Sequence, residues 1–80
     1  MSELIDMNRA GLLSPCQREI VRRLAEGATT KAIAIDLGLS PKGVEYHRVR
    51  IYRILRVDSV ARLTRFAIVS GISPLTEGGE

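Results

Sequence analysis

Between Ser40 and Leu55 the chain reads SPKGVEYHRVRIYRIL, a segment that carries Lys42, Arg48, Arg50 and Arg53 around a single acid, Glu45. Residues of these types at these spacings suit the binding of a polyanion. Lysine and arginine neutralise phosphates, and the planar guanidinium offers paired donors in a fixed fork. A uniformly basic face would hold phosphates without choosing among sequences. The base edges of a duplex major groove also present a cytosine N4 donor and a thymine methyl, so a face that reads sequence mixes acidic and apolar groups with its cations. Glu45 could accept from cytosine or orient a neighbouring arginine, while Tyr46 and Val49 offer apolar contact to a thymine methyl or sugar. Gly43 lets backbone near a helix start approach a phosphate, whose charge the helix N-terminus favours.

Other chemistries find less to work with. No nucleophile-base pair, carboxylate dyad or phosphate-binding glycine loop is evident, so the chain reads as a binding module rather than an enzyme, and no cofactor is implied. One cysteine, Cys16, and one histidine, His47, cannot make a four-ligand zinc site or an internal disulfide. No apolar run approaches the roughly 20 residues that span a bilayer, and the N-terminus lacks a basic region followed by an apolar core, so no membrane partner is expected and a cytoplasmic address is the default.

Charge is distributed unevenly. The 80 residues have a formal charge of +3. Residues 1–39 are neutral, with Arg9, Arg18, Arg22, Arg23 and Lys31 against Glu3, Asp6, Glu19, Glu26 and Asp36. Residues 40–56 set Lys42, Arg48, Arg50, Arg53 and Arg56 against Glu45 alone. A chain this short supports one domain with a modest core, and its apolar content, rich in Leu, Ile, Val and Ala and poor in aromatics, suits a small helical bundle.

The elements that must position the basic segment are marked by serine-proline pairs. At Ser14-Pro15-Cys16-Gln17 the serine can cap, proline occupies a first helical position where its missing N–H costs nothing, and Gln17 completes a capping box. The helix then runs over Pro15–Glu26, with Cys16, Ile20, Val21, Leu24 and Ala25 as its apolar stripe and Gly27 as its stop. Thr29 or Thr30 caps a shorter helix, Lys31–Leu37, whose buried stripe is Ile33, Ala34 and Leu37. Only Gly38-Leu39-Ser40 intervene before a third helix starts at Pro41 under a Ser40 cap and continues to about Val57. Asp58 or Ser59 caps a fourth helix, which runs to about Ser70. The segment Glu3–Arg9 adds at most a partial helical turn, and residues 72–80 form a flexible tail. The expected fold is all-α, a four-helix bundle of short helices containing a helix-turn-helix, in which the second member can enter a DNA major groove.

A helical wheel of the third helix, at about 100° per residue, gathers Val44, Ile51, Leu55 and His47 on one side and Lys42, Glu45, Tyr46, Val49 and Arg53 on the other. Arg48, Arg50 and Arg56 flank the second group, where they can reach phosphates on either groove wall. His47 could touch a phosphate or the groove floor, but its place beside Val44 and Ile51 favours a packed, hydrogen-bonded role. Cys16 could sense oxidants from a first helical turn; it is read as a small core residue.

From Leu13 to Gly71 the sequence resembles the LuxR-type (GerE-like) helix-turn-helix domain of bacterial transcription regulators. The resemblance rests on LSP.QREI at Leu13–Ile20, LAEG at Leu24–Gly27, TKAIAIDLGLSP at Thr30–Pro41, GVEYH at Gly43–His47, Ile51 with Leu55 and Val57, and Ala67 and Gly71. The VEYHR segment is most similar to the FixJ-like branch of response regulators. The resemblance implies a domain over residues 13–71, preceded by a lead segment, 1–12. It implies duplex DNA as partner, with base contacts from Glu45, Tyr46 and Val49 and phosphate contacts around Thr30, Lys31, Lys42 and Gly43. It also implies a homodimer through the fourth helix, where Val60, Leu63, Ala67 and Ser70 share a side. Gly43, Ile54, Val60 and Val49 depart from the family's usual residues, so the resemblance does not carry a target sequence or an affinity over to this chain.

Two rivals stand beside this reading. A sigma-factor-like promoter-reading domain also begins with a QRE-type helix before a helix-turn-helix; His47 and the fourth helix favour the LuxR type. A protein-interaction module would dock on RNA polymerase or a receiver domain through the fourth helix, its arginines idle. Binding through several phosphates weakens steeply with salt, whereas an apolar interface barely responds.

Overall fold

A computed structural model describes residues 7–73 of the chain, and among these every regular element is helical. A short 3-10 helix, Met7–Leu12, leads into α1 (Pro15–Ala25), α2 (Thr30–Leu37), α3 (Pro41–Leu55) and α4 (Val60–Ser70). The expected all-α bundle with a helix-turn-helix is the fold observed.

Local chemistry accounts for the boundaries. Ser14 Oγ accepts from the Gln17 N–H while the Gln17 side chain accepts from the Ser14 N–H, a complete capping box, and Pro15 takes the first position of α1. Thr29 caps α2 by accepting from the Ala32 N–H, and Ser59 caps α4 by accepting from the Arg62 N–H. Gly38 ends α2 in the left-handed conformation at φ 71°, where a residue with a Cβ is strained. Its N–H and that of Leu39 return to the carbonyls of the last turn, so the link to α3 is a tight reversal with its backbone satisfied. The third helix stops at Leu55, two residues before the expected end. Arg56 adopts a left-handed conformation at φ 58° and the Val57 N–H closes back on the Tyr52 carbonyl at 3.0 Å.

One core joins all four helices. Ile20, Val21, Ile33, Val44, Ile51 and Leu63 are wholly buried, with Leu24, Ala34, Leu55, Phe66 and Ala67 around them. Burial of each large aliphatic side chain stabilises by about 1.5–3 kcal/mol. α1 packs chiefly on α4, α2 chiefly on α3, and α1 also crosses α3. An ion-pair chain stiffens the outer side of this frame. Glu19 accepts from Arg22 at 2.6 Å and Arg23 at 2.8 Å, Arg22 reaches Glu26, and Arg23 reaches Asp36 of α2 at 2.7 Å. The Arg22 hydrogen bond is the main reason that the Glu19 carboxyl lies below its ordinary pKa; the same contact raises that of Arg22.

Several expectations are corrected. Cys16 is exposed, and the buried position in the first turn of α1 belongs to Gln17, which shares a side of the helix with Ile20, Val21 and Leu24 at i, i+3, i+4 and i+7. Leu63 and Ala67 do not belong to an outward face of α4: both are fully buried, because the apolar stripe of α1 needs that side of α4 as its cover. His47 is half-buried as expected, but its Nδ1 is buried without a hydrogen-bond partner among the described residues, so the bond expected there is not made within them. The chain past α4 is fixed for two residues more than expected: Ile72 packs on the core, and Ser73 is buried, its N–H donating to the Ala67 carbonyl at 3.0 Å. The expected turn over Glu3–Arg9 lies mostly outside the described residues, as does the tail from residue 74.

Candidate nucleic-acid interface

The two sides of α3 separate cleanly. Val44, Ile51 and Leu55 face the core, while Lys42, Tyr46, Val49, Arg50 and Arg53 are exposed, Tyr46 at 59% and Val49 at 52%. An exposed tyrosine and valine one turn apart, amid cations, are not explained by the packing of the described residues. α2 packs on α3, and Thr30, its first residue, meets Glu45 of that helix, while the adjacent Lys31 is exposed.

Side-chain contacts organise the surface further. Thr30 Oγ1 donates to Glu45 Oε2 at 2.8 Å, and Arg48 Nη2 lies 2.9 Å from Glu45 Oε1. The Arg48 guanidinium also sits 5.9 Å from the Tyr52 ring centroid, one turn further along. Arg50 sits over the Tyr46 ring at 5.6 Å, and the edge of His47 meets Tyr46 with centroids 5.8 Å apart. Such contacts of cations over rings are worth about 0.5–1 kcal/mol at exposed sites, enough to bias the rotamers of Arg48 and Arg50 without fixing them.

The candidate residues from the sequence therefore fall into two sets. Thr30, Glu45 and Arg48 form one cluster, joined by a hydrogen bond and an ion pair and half-buried where α2 meets α3. Lys31, Lys42, Tyr46, Val49, Arg50 and Arg53 are exposed. Gly43 serves differently from expectation. Its N–H donates to Ser40 Oγ at 2.9 Å, so the cap already uses the amide that a phosphate would need. A Cβ there would lie 3.2 Å from the same oxygen, so the glycine makes room for the cap. The first-turn amide left without an intrahelical acceptor is that of Lys42. Tyr52 was not among the candidates; its i, i+4 spacing from Arg48 is the signal that points to it.

The residues that match a known family are those that build this arrangement. The family model described as bacterial regulatory proteins, luxR family, matches residues 11–67. The chain belongs to the luxR family. Its relatives include the transcriptional regulatory protein FixJ of Azorhizobium caulinodans, 36% identical over 62 residues that cover 78% of this chain and 29% of the relative. FixJ of Rhizobium meliloti is 33% identical over 66 residues, covering 82% and 32%. The transcriptional regulatory protein UhpA of Escherichia coli is 40% identical over 53 residues, covering 66% and 27%. This luxR-family chain thus spans about a third or less of the curated relatives it matches. No solved structure matches it. The family is one of regulators, not of enzymes. Among the described residues of the luxR-family domain, no helix is long and apolar enough to cross a membrane.

Proposed function

We infer that the chain is the DNA-binding part of a transcriptional regulator, holding α3 in the major groove of duplex DNA. The observation that carries this reading is the division of α3. A helix whose inner side is wholly buried keeps Tyr46 and Val49 in water on the other side, ringed by Lys42, Arg50 and Arg53. Lys31, Lys42, Arg50 and Arg53 hold phosphates; Tyr46 and Val49 supply apolar contact to base edges. The reaction is positioning, with no bond made or broken. A cytoplasmic location follows from the partner.

The regulator acts as a homodimer on two related half-sites about one helical turn apart, with α4 as the contact. Because Leu63 and Ala67 are spent in the core and Ser70 lies on their side of the helix, the pairing surface is the side of α4 that carries Val60, Thr64 and Ile68 at i, i+4 and i+8, with Val60 47% exposed. Sedimentation equilibrium with and without DNA, on wild type and Val60→Glu, tests this part separately.

Selection of bound duplexes from a random pool, followed by affinity measured across a salt series, tests the whole. A shared motif with steeply salt-dependent binding is expected. Binding that salt leaves unchanged, or a pool without a motif, would count for the protein-docking alternative instead.

A further inference from the structure

Two partners from different helices converge on one carboxylate. Thr30, the first residue of α2, gives its hydroxyl proton to Glu45 Oε2 at 2.8 Å, and Arg48, one turn along α3, holds Oε1 at 2.9 Å. A threonine hydroxyl has a single proton to donate, so while it serves Glu45 it cannot also serve a phosphate. The Glu45 side chain nevertheless keeps 45% of its exposure. An ionised carboxylate has about four lone-pair sites, and these two contacts leave acceptor capacity facing outward.

A solvent-exposed glutamate samples several rotamers, and ordering such a side chain costs up to about 1.5–2 kcal/mol. Held from both sides, Glu45 meets that cost in folding rather than in binding. The contact also fixes which carboxylate geometry is presented, because Thr30 belongs to a different helix and does not move with α3. Arg48 is correspondingly paired with the carboxylate.

We propose that Thr30 is a positioning residue for sequence selection: with Arg48 it presets Glu45 as a fixed acceptor for the cytosine N4 amino group, and its own hydroxyl does not contact DNA. This rests on the DNA-binding reading above. It replaces the phosphate contact expected of the Thr30 side chain with an intramolecular role, and it makes α2 a determinant of base preference without touching a base.

The test uses a duplex enriched from a random pool by the wild-type chain, and the same duplex with each G·C pair changed in turn. Affinities are measured by fluorescence anisotropy for wild type, Glu45→Ala, Thr30→Val, Thr30→Ser and the Thr30→Val, Glu45→Ala double variant, with thermal melts confirming that each folds. The expected result is one cytosine position at which wild type discriminates about tenfold. Glu45→Ala and Thr30→Val each lose most of that ratio, Thr30→Ser keeps it, and the double variant is no worse than Glu45→Ala. Full discrimination in Thr30→Val alongside its loss in Glu45→Ala would overturn the proposal, as would equal weakening by Thr30→Val on every duplex, the mark of a phosphate contact. No cytosine position sensitive to Glu45→Ala would also overturn it. Absence of salt-dependent duplex binding by wild type is a separate outcome, which removes the DNA-binding reading itself.

Discussion

Arg9 reaches across 45 positions of sequence to hold the end of α3: its Nη1 donates to the Ile54 carbonyl oxygen at 3.0 Å. The last four carbonyls of a helix have no intrahelical partner, and a cation there also meets the negative end of the helix dipole. Residues 7–13 are therefore a structural part of the domain, anchored further by Ala10 and Leu13, both buried.

Arg9→Ala should lower stability by about 1 kcal/mol, a partly buried charged hydrogen bond, which in a domain of this size shifts Tm by about 4–8 °C. Arg9→Lys should lose less. Thermal unfolding by circular dichroism measures both.

Ile51→Ala should be far more damaging. Ile51 is wholly buried on the inner side of α3, and truncation of such a side chain costs about 2–5 kcal/mol, a large part of the stability of a small domain. Urea titration should show a markedly lower midpoint, and DNA binding should fall with the folded fraction.

Arg53→Ala should act oppositely, on binding without stability. Arg53 is exposed, so Tm should barely move, whereas affinity should fall on matched and unmatched duplexes alike. The slope of log K against log salt should become shallower by about 1, the contribution of one phosphate contact.

Acid should loosen the α1 surface. The carboxyl of Glu19 is depressed below its usual value chiefly by the Arg22 hydrogen bond, so its contribution to stability is fully present above the ordinary glutamate pKa, about 4.3, and is lost as pH falls through the lower folded value. Glu19→Gln should flatten the decline of stability below that pH, read from urea midpoints between neutral and acid conditions, while leaving the curve near neutrality almost parallel to wild type.

Much of this architecture was legible in the sequence because its punctuation is local. Ser14, Pro15 and Gln17 announce α1 within four residues, Ser40 and Pro41 announce α3 within two, and the period of Val44, Ile51 and Leu55 separates the two sides of α3 without reference to anything else. What the sequence hid depends on distance or on competition. Thr30 and Glu45 are fifteen residues apart, and Arg9 and Ile54 forty-five, so neither bond has a spacing signature. Cys16 looked apolar enough for the core, but the phase of α1 places Gln17 with Ile20, Val21 and Leu24 on the buried side instead. On α4 the apolar arc is wider than the core requires, and only the position of α1 decides that Leu63 and Ala67 lie inside and Val60 outside.

The division of labour along α3 has an evolutionary consequence. Val44, Ile51 and Leu55 carry the folding of the helix, whereas Tyr46, Val49 and Arg53 contribute little to it. Under the proposed DNA-binding function, replacements at those outer positions would retarget the molecule to a new operator at almost no thermodynamic penalty, so divergence of specificity and preservation of the scaffold would proceed on separate sets of codons.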